Sequence, residues 1–290
     1  MVMKYAQLYS ELRRSLLPVE EAREAGFLAR TIIAHFAGIT QEQLLSNSEM
    51  YTSDDVCEAC TSAVNRLIAG EPLAYIIGEW EFYGLKLAVT PDVLIPRDDT
   101  CAVATLAIQQ SLFLDKSPRI LDLCTGSGCI GLAIASRVPD SRVTLGDISK
   151  AALSVAKQNI QQNHLTGRVS TITVDALSTP SAFLGKFDLI VSNPPYITTQ
   201  EMRQLPDSVA NFEPHLALHG GDDGLIFYRN ITEKYKVALK PGGYLCFEFG
   251  MGQGNAVCEI LENNGYTILE RSRDYNDRER AVLAQLNRKD

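Results

Sequence analysis

From about residue 96 to the C-terminus, short apolar segments alternate with segments of helical periodicity. The strand candidates are residues 118–123, 142–147, 169–174, 187–192, 242–249 and 280–286. This alternation predicts a parallel, doubly wound sheet. We therefore expect an α/β domain over residues 96–290 that binds ligands at the carboxyl ends of its strands.

The first 75 residues have a different pattern, which predicts helices throughout. The periodic apolar residues are Tyr5, Leu8, Tyr9, Leu12 and Leu16, then Leu28, Ile32, Ile33 and Phe36. Thr40-Gln-Glu-Gln43 resembles a capping box at the start of a third helix. Ser53 can cap a fourth helix, which Gly70 would end. We expect residues 1–75 to be a small all-α domain that holds a partner or packs on the rest of the chain.

Residues 76–95 are rich in aromatic and β-branched residues around Gly84, which predicts a β-hairpin linking the two domains. No apolar run is long enough to span a bilayer. Charged residues interrupt the apolar pattern of the N-terminus, which excludes a signal peptide. We therefore expect a cytoplasmic protein that acts as a monomer and binds no membrane.

The formal net charge is −8, and no cluster of lysine and arginine forms a basic face. An enzyme of duplex DNA usually presents such a face to phosphates, so we expect no direct nucleic-acid partner. The seven cysteines are scattered. The one close pair, Cys57 and Cys60, lies in a helical segment with no second pair or histidine set, so we expect Cys60 in a core and no metal site.

A glycine-rich turn follows the first strand of the α/β domain, at Cys124-Thr-Gly-Ser-Gly128. Glycines let the backbone turn sharply and approach a ligand that a Cβ would repel. Asp147 closes the next strand, where a carboxylate can accept hydrogen bonds from the two hydroxyls of a ribose. Asp175 and Ala176, after the third strand, are expected near an adenine. The cofactor-binding residues predicted in this region are Cys124, Thr125, Gly126, Ser127, Gly128, Asp147, Asp175 and Ala176.

These features indicate a cofactor that contains adenosine without identifying it, since Gly126-Ser-Gly128-Cys-Ile-Gly131 also fits the dinucleotide pattern. A nicotinamide enzyme would need an acid or base for hydride transfer, and the sequence offers no candidate. S-adenosylmethionine is the cofactor that agrees with the motif described next.

The strand at 187–192 ends in Asn193-Pro-Pro-Tyr196. Two successive prolines fix φ and donate no N–H, so the carbonyls of Asn193 and Pro194 are held in a rigid loop. The side-chain oxygen of Asn193 is a further acceptor, and Tyr196 can lay an aromatic face on a planar group.

A planar NH2 group needs two such acceptors and a flat wall. We therefore predict that Asn193, Pro194, Pro195 and Tyr196 bind a substrate amide or amino group beside the cofactor. Asn193, Pro194 and Tyr196 would be catalytic, and Asn193 would also contact the cofactor. No strong base is required, because the alkylated nitrogen is acidic and sheds its proton readily.

The chain resembles the PrmC/HemK family of protein release factor glutamine methyltransferases. The likeness covers nearly the whole chain and includes the cofactor and amide loops already described. Further matching motifs are Leu94-Ile-Pro-Arg97 with Thr100, Phe212-Glu-Pro214, Ala217-Leu218, Gly220-Gly221, Asp223-Gly-Leu225 and Glu248-Phe-Gly250 with Gln253.

This resemblance implies a Rossmann-like class I methyltransferase sheet and S-adenosylmethionine as the methyl donor. It implies that the substrate is the glutamine of the Gly-Gly-Gln loop in peptide chain release factors, methylated on its side-chain nitrogen. Thr125 to Gly128 and Asp147 would then contact the cofactor, and Asn193 to Tyr196 would bind the amide.

The sequence departs from the family pattern at three places. Asp98 follows Arg97 where proline is usual, and Cys101 follows Thr100 where an acidic residue is usual. Cys124 and Asp277 stand where glycine is common. For Arg97, Glu213 and Glu248, structural support is an alternative to a direct role.

Two other enzyme activities agree with the same loops, and a non-catalytic binding protein is a third alternative. A sister enzyme could methylate a glutamine of a ribosomal protein. A nucleic-acid adenine N6-methyltransferase could hold an exocyclic amino group with the same acceptors, after flipping a base or binding a single strand. A non-catalytic binding protein that kept the cofactor pocket would not need the Asn193-to-Tyr196 loop.

Overall fold

The computed structural model describes residues 3–114 and 117–288. The chain divides into two compact units, Met1–Gly78 and Glu79–Asp290.

The first unit is helical. Its helices are α1 (Tyr5–Leu16), α2 (Ala22–Ala37), α3 (Gln41–Ser46), α4 (Asp54–Ile68) and α5 (Leu73–Ile77). The predicted caps are confirmed: Thr40 Oγ1 accepts from the Gln43 amide at 3.1 Å, and Gln43 Oε1 accepts from the Thr40 amide at 2.9 Å. Ser53 Oγ accepts from the Val56 amide at 3.3 Å. Helix α5 was outside the prediction because five residues are too short to show a helical period.

The periodic apolar residues form the core of this unit. Leu8, Leu16 and Ile32 are almost fully buried in it. Cys60 is buried there as predicted, and burial raises the pKa of its thiol to about 12. A thiol in this state packs as a small hydrophobic side chain.

The second unit begins with the hairpin of β1 (Glu79–Phe82) and β2 (Leu85–Ala88). Tyr83 and Gly84 both have positive φ, as a tight two-residue hairpin turn requires. The sequence predicts a linker over residues 76–95, whereas Phe82 and Leu87 are buried in the core of the second unit. The hairpin is therefore part of that unit.

Among the described residues, the main sheet of this unit has seven strands in the order β5-β4-β3-β6-β7-β9-β8. They are β3 (Arg119–Leu123), β4 (Arg142–Asp147), β5 (Val169–Thr173), β6 (Phe187–Ser192), β7 (Leu239–Glu248), β8 (Tyr266–Arg273) and β9 (Glu279–Leu286). The first five in the order are parallel, which places the carboxyl ends of β3, β4, β5 and β6 along one edge.

The two strands at the other end of the sheet depart from the parallel arrangement. Strand β9 runs antiparallel to β7, and β8 runs antiparallel to β9, so the sheet is mixed. Strand β8 was not predicted, because it lies at the edge and exposes most of its side chains. An exposed strand of this kind lacks the apolar run that marks a buried one.

Helices cover both faces of the sheet. They are α6 (Cys101–Leu112), α7 (Cys129–Arg137), α8 (Lys150–Gln162), α10 (Ile226–Lys234) and α11 (Gly254–Asn263). The short helix α9 (Asp207–Ala210) has no buried residue and lies in the long connection after β6. Helices α6, α7 and α8 bury their apolar residues in one core, and α10 and α11 in a second. Within the described residues, no helix is both long and apolar enough to cross a lipid bilayer.

Candidate active site

The glycine-rich loop joins β3 to α7. Cys124, Gly126 and Gly128 all have positive φ, between 54° and 86°, so the backbone reverses direction within five residues. At Gly128 a Cβ would lie 3.0 Å from a methyl carbon of Leu145, so a side chain there would crowd that residue. The loop therefore presents main chain, and not side chains, toward the carboxyl edge of the sheet.

Asp122 in β3 holds this loop in place by hydrogen bonds. Its Oδ2 accepts hydrogen bonds from Thr125 Oγ1 at 2.6 Å and from the Gly131 amide at 2.9 Å. Burial raises the pKa of this carboxyl to about 7, against the lowering effect of the two hydrogen bonds. Its Oδ1 is buried and has no hydrogen-bond partner among the described residues.

Asp147 lies at the end of β4, as predicted. Its Oδ2 accepts from the Gly126 amide at 2.9 Å, and its Oδ1 accepts from the Ser149 amide at 2.9 Å. Burial raises the pKa of the carboxyl. Each oxygen of a carboxylate can accept about two hydrogen bonds, so both oxygens of Asp147 retain capacity for a pair of hydroxyls.

Asp175 and Ala176 follow β5. The carboxylate of Asp175 accepts from the Leu177 amide at 2.8 Å and from Ser178 Oγ at 2.6 Å. The hydroxyl of Tyr235 donates to the main-chain oxygen of Asp175 at 2.9 Å. These bonds fix the turn that Asp175 opens.

The amide loop begins where β6 ends. Asn193 is half-buried, and its Nδ2 donates to Thr100 Oγ1 at 3.3 Å. Pro194 and Pro195 are buried. The ring of Tyr196 lies beside Gly250 and packs on the second core, and burial raises the pKa of its hydroxyl.

One neighbouring segment, residues 218–224, holds this loop by its main chain. The Ile197 amide donates to Leu218 O at 3.0 Å, and the Gly220 amide donates back to Ile197 O at 2.8 Å. A Cβ on Gly220 would lie 2.7 Å from Tyr196 Cα, and one on Gly224 would lie 2.4 Å from Tyr196 O. The glycines at 220 and 224 therefore permit direct backbone packing against the amide loop.

The cofactor and amide loops open on one cavity with an empty volume of about 1060 Å³, part of it open to solvent. Of the predicted site residues, those that line it are Cys124, Thr125, Gly126, Ser127, Asp147, Asp175, Ala176, Asn193 and Pro195. Gly128, Pro194 and Tyr196 are not among the lining residues. Gly128 instead precedes the first residue of α7, and Tyr196 is turned toward the core.

Other lining residues carried no assigned role in the sequence interpretation. They are Asp92, Val93, Leu94, Pro96, Arg97, Thr100, Cys129, Ile130, Ile148, Ser149, Ala152, Val174, Leu177, Pro214, Leu216, Ala217 and Phe227. Ile148 could have been found from the sequence, because it directly follows the ribose-binding candidate Asp147. Phe227 could not, because nothing in a helix pattern shows which face meets a ligand.

Two ion-pair groups surround the amide loop. The guanidinium of Arg97 pairs with the carboxylate of Glu213, which is buried. Arg280 is also buried and pairs with Asp274 at 3.1 Å and with Asp99 at 2.9 Å. Buried charges require such partners. These contacts support a structural role for Arg97 and Glu213, although Arg97 also lines the cavity.

Two of the departures from the family pattern have a common backbone feature. Cys124 has φ of 60° and Asp277 has φ of 59°, both in the left-handed region. Glycine populates that region without strain, whereas other residues do so at a cost of roughly 1–2 kcal/mol. The family's preference for glycine at these positions is therefore explained by main-chain geometry.

No group of three or more His, Cys, Asp or Glu side chains is placed to hold a metal ion within residues 3–114 and 117–288. The donors at the cavity suit an adenosine instead. They combine a glycine loop of exposed main chain, a carboxylate with spare acceptor capacity after β4, and apolar side chains at Ile148 and Phe227. The fold and this site define a class I methyltransferase, whose cofactor is S-adenosylmethionine.

Comparisons with known proteins agree with this class. The model of the methyltransferase small domain matches residues 99–217, and that of the PrmC N-terminal domain matches residues 7–78. A methyltransferase from Pyrococcus furiosus has the same fold, with a TM-score of 0.51 and 18% identity, covering 78% of this chain and 99% of that one.

Curated relatives are more similar in sequence. The release factor glutamine methyltransferase of Clostridium acetobutylicum is 40% identical over 241 residues, which is 83% of this chain and 84% of the relative. That of Geobacter sulfurreducens is 35% identical over 271 residues, which is 93% of this chain and 92% of the relative. The chain belongs to the release factor glutamine methyltransferase family.

Proposed function

We propose that this protein transfers the methyl group of S-adenosylmethionine to the side-chain amide nitrogen of the glutamine in the Gly-Gly-Gln loop of peptide chain release factors. The observation that carries the proposal is the position of Asn193, which lines the same cavity as the glycine loop and Asp147. A group held by Asn193 would therefore lie beside the bound cofactor.

An amide nitrogen is a poor nucleophile because its lone pair is delocalised into the carbonyl. In the proposed complex, the Asn193 side-chain oxygen and the Pro194 carbonyl accept the two N–H bonds of the glutamine amide, which raises electron density on nitrogen. S-adenosylmethionine, when bound, supplies an electrophilic methyl group. Holding the two reactants in line contributes an entropic advantage of several kcal/mol.

The proton balance needs no strong base. When nitrogen forms its bond to the methyl carbon, the carbon–sulfur bond of the cofactor would break and S-adenosylhomocysteine would leave. The alkylated nitrogen would be acidic and would release one proton through its hydrogen-bonded acceptor to water. The pocket wall formed by Pro195 excludes part of the solvent, and Tyr196 supports the loop from the core side. In this proposal Asn193 and Pro194 are the catalytic residues, and Tyr196 has a supporting role.

For the cofactor, the proposal assigns the ribose hydroxyls to Asp147 and the adenine to the turn at Asp175 and Ala176. The main chain of Cys124 to Gly128 would lie against the methionine part, with Asn193 completing the site. Spare acceptor capacity on both oxygens of Asp147 supports this arrangement.

The division of labour between the two units is also a proposal. Residues 1–75 would bind the release factor, and the second unit, which includes the hairpin, would carry the chemistry. A chain that begins at Glu79 tests this. We expect its KM for a whole release factor to rise far more than its KM for a short Gly-Gly-Gln peptide, and equal changes would contradict the assignment.

Release factors act on ribosomes, so we place the enzyme in the cytoplasm. We also propose that it acts as a monomer and binds neither nucleic acid nor membrane. The test is to incubate the protein with labelled S-adenosylmethionine and, separately, release factors, ribosomal proteins and DNA. We expect label on release factors alone. Label confined to ribosomal protein or to DNA would contradict the proposed substrate and support one of the two alternative enzymes.

A further inference from the structure

Thr100 lies beside the amide loop, at the turn that opens α6. It is buried, and its Oγ1 lies 3.3 Å from Asn193 Nδ2, although 93 positions separate the two residues in sequence. Both residues line the proposed active site. The hydroxyl is thus in direct contact with the residue to which the proposed function assigns the substrate amide.

The contact has a defined direction. The nitrogen of a carboxamide can only donate, so the hydroxyl oxygen of Thr100 is the acceptor. Glu248, buried at the end of β7, lies next to both residues. Burial raises the pKa of its carboxyl to about 7, and hydrogen bonds from Thr100 and from Asn193 act against that rise. The NH2 end of the Asn193 side chain therefore faces two acceptors.

An inverted Asn193 would be unfavourable. Its oxygen would face the Glu248 carboxylate, and the Thr100 hydroxyl could donate to that oxygen only by giving up its hydrogen bond to Glu248. A buried polar group without a partner costs roughly 1–3 kcal/mol. The same inversion would point a donor, and not an acceptor, at the N–H bonds of a substrate amide.

We propose that Thr100 is a positioning residue, which fixes the side-chain amide of Asn193 so that its oxygen faces the substrate. This inference rests on the proposed function, because it acts through the assigned role of Asn193.

The segment that carries Thr100 is itself held in place. Its neighbour Asp99 pairs with Arg280 at 2.9 Å, and Arg280 is fixed by Asp274 at 3.1 Å. Both Arg280 and Asp274 are buried. The hydroxyl of Thr100 is therefore presented from a rigid base, as a second layer of contacts needs for precise positioning.

The experiment uses the full chain with Thr100→Val, which keeps the shape of the side chain and removes its hydroxyl. We expect kcat for release factor methylation to fall about tenfold while the Kd for S-adenosylhomocysteine stays within twofold, because only the orientation of Asn193 is lost. Thr100→Ser keeps the hydroxyl and is expected to stay within about threefold of the wild-type rate.

The double variant Thr100→Val/Asn193→Ala separates positioning from general structural support. If Thr100 acts through Asn193, the double variant is no slower than Asn193→Ala alone. Thr232→Val is the matched control, since Thr232 is a fully buried threonine of α10 whose hydroxyl has no partner among the described residues. It is expected to keep the wild-type kcat.

A wild-type kcat in Thr100→Val would overturn the proposal. So would a Ser variant as slow as the Val variant, or a full tenfold further loss in the Asn193→Ala background. If the wild-type enzyme labels a different substrate, the proposed function fails by itself, and the same variants measured with that substrate still decide the role of Thr100.

Discussion

Gln253 holds the main chain of Tyr196. Its side-chain nitrogen donates to the Tyr196 carbonyl oxygen at 3.0 Å, while its side-chain oxygen accepts from the Gly250 amide at 2.9 Å. One residue thereby ties the amide loop to the segment that follows β7. With the backbone packing of Gly220 and Gly224 on the same loop, this bond gives the family motifs around residues 220–225 and 248–253 a common physical purpose.

The packing at Gly220 predicts the effect of adding one methyl group. In Gly220→Ala the new Cβ would lie 2.7 Å from Tyr196 Cα, so main chain must move. We expect a loss of more than about 2 kcal/mol of stability and, since reacting groups tolerate little displacement, a fall in kcat of about 100-fold. Denaturant unfolding and release factor methylation measure the two effects.

Gly167→Ala is the matched control for that substitution. Its Cβ would meet nothing within 4 Å, so we expect both stability and kcat to stay near the wild-type values. Gly220→Ala behaving like Gly167→Ala would show that the amide loop is not held as the contacts indicate.

Asp147 predicts a specific loss of cofactor affinity. In Asp147→Asn, one carboxylate oxygen becomes an NH2 group, which must face the amide of Gly126 or of Ser149 and repel it. We expect the Kd for S-adenosylmethionine, measured by calorimetry, to rise roughly 10- to 100-fold. Asp140→Asn, at an exposed turn, should bind as the wild type does; an unchanged Kd in Asp147→Asn would exclude the ribose assignment.

The left-handed backbone at Asp277 predicts a stabilising change. Asp277→Gly removes the strain of positive φ, whereas Asp277→Ala retains it and loses the side chain's local contacts. We expect the glycine variant to be more stable than the alanine variant by about 1 kcal/mol. Chemical denaturation of the two variants gives the difference directly. If the alanine variant is as stable as the glycine variant, the backbone at residue 277 is not strained.

Asp122 predicts how stability depends on pH. Its pKa is about 7 in the native state, because the side chain is buried, against an ordinary value of 3.8. Between these two values the native protein binds more protons than the unfolded chain, so the free energy of unfolding falls as pH rises from about 4 to about 7. Asp122→Asn cannot ionise, so its unfolding free energy should fall less steeply. If the unfolding free energies of the variant and the wild type fall equally steeply between about pH 4 and about pH 7, the raised pKa of Asp122 is contradicted.

The sequence predicts those features that depend on local pattern. The buried strands, the caps at Thr40 and Ser53, and the loops after β3 and β6 all follow from neighbouring residues. The approach of Thr100 to Asn193 does not, because it joins residues 93 positions apart and depends on how α6 packs on the sheet. The edge strand β8 is not predicted for a related reason. It is defined by its pairing with β9, and its own residues contain no buried apolar run.

The account depends most on Asn193, and Asn193→Ala tests it directly. The measurement pairs the Kd for S-adenosylhomocysteine with the single-turnover rate of methylation of a release factor. We predict a rate at least about 100-fold lower and a much smaller change in Kd, because Asn193 supplies the acceptor for the substrate amide but only one contact of the cofactor site. Methylation at the wild-type rate would contradict the proposed mechanism.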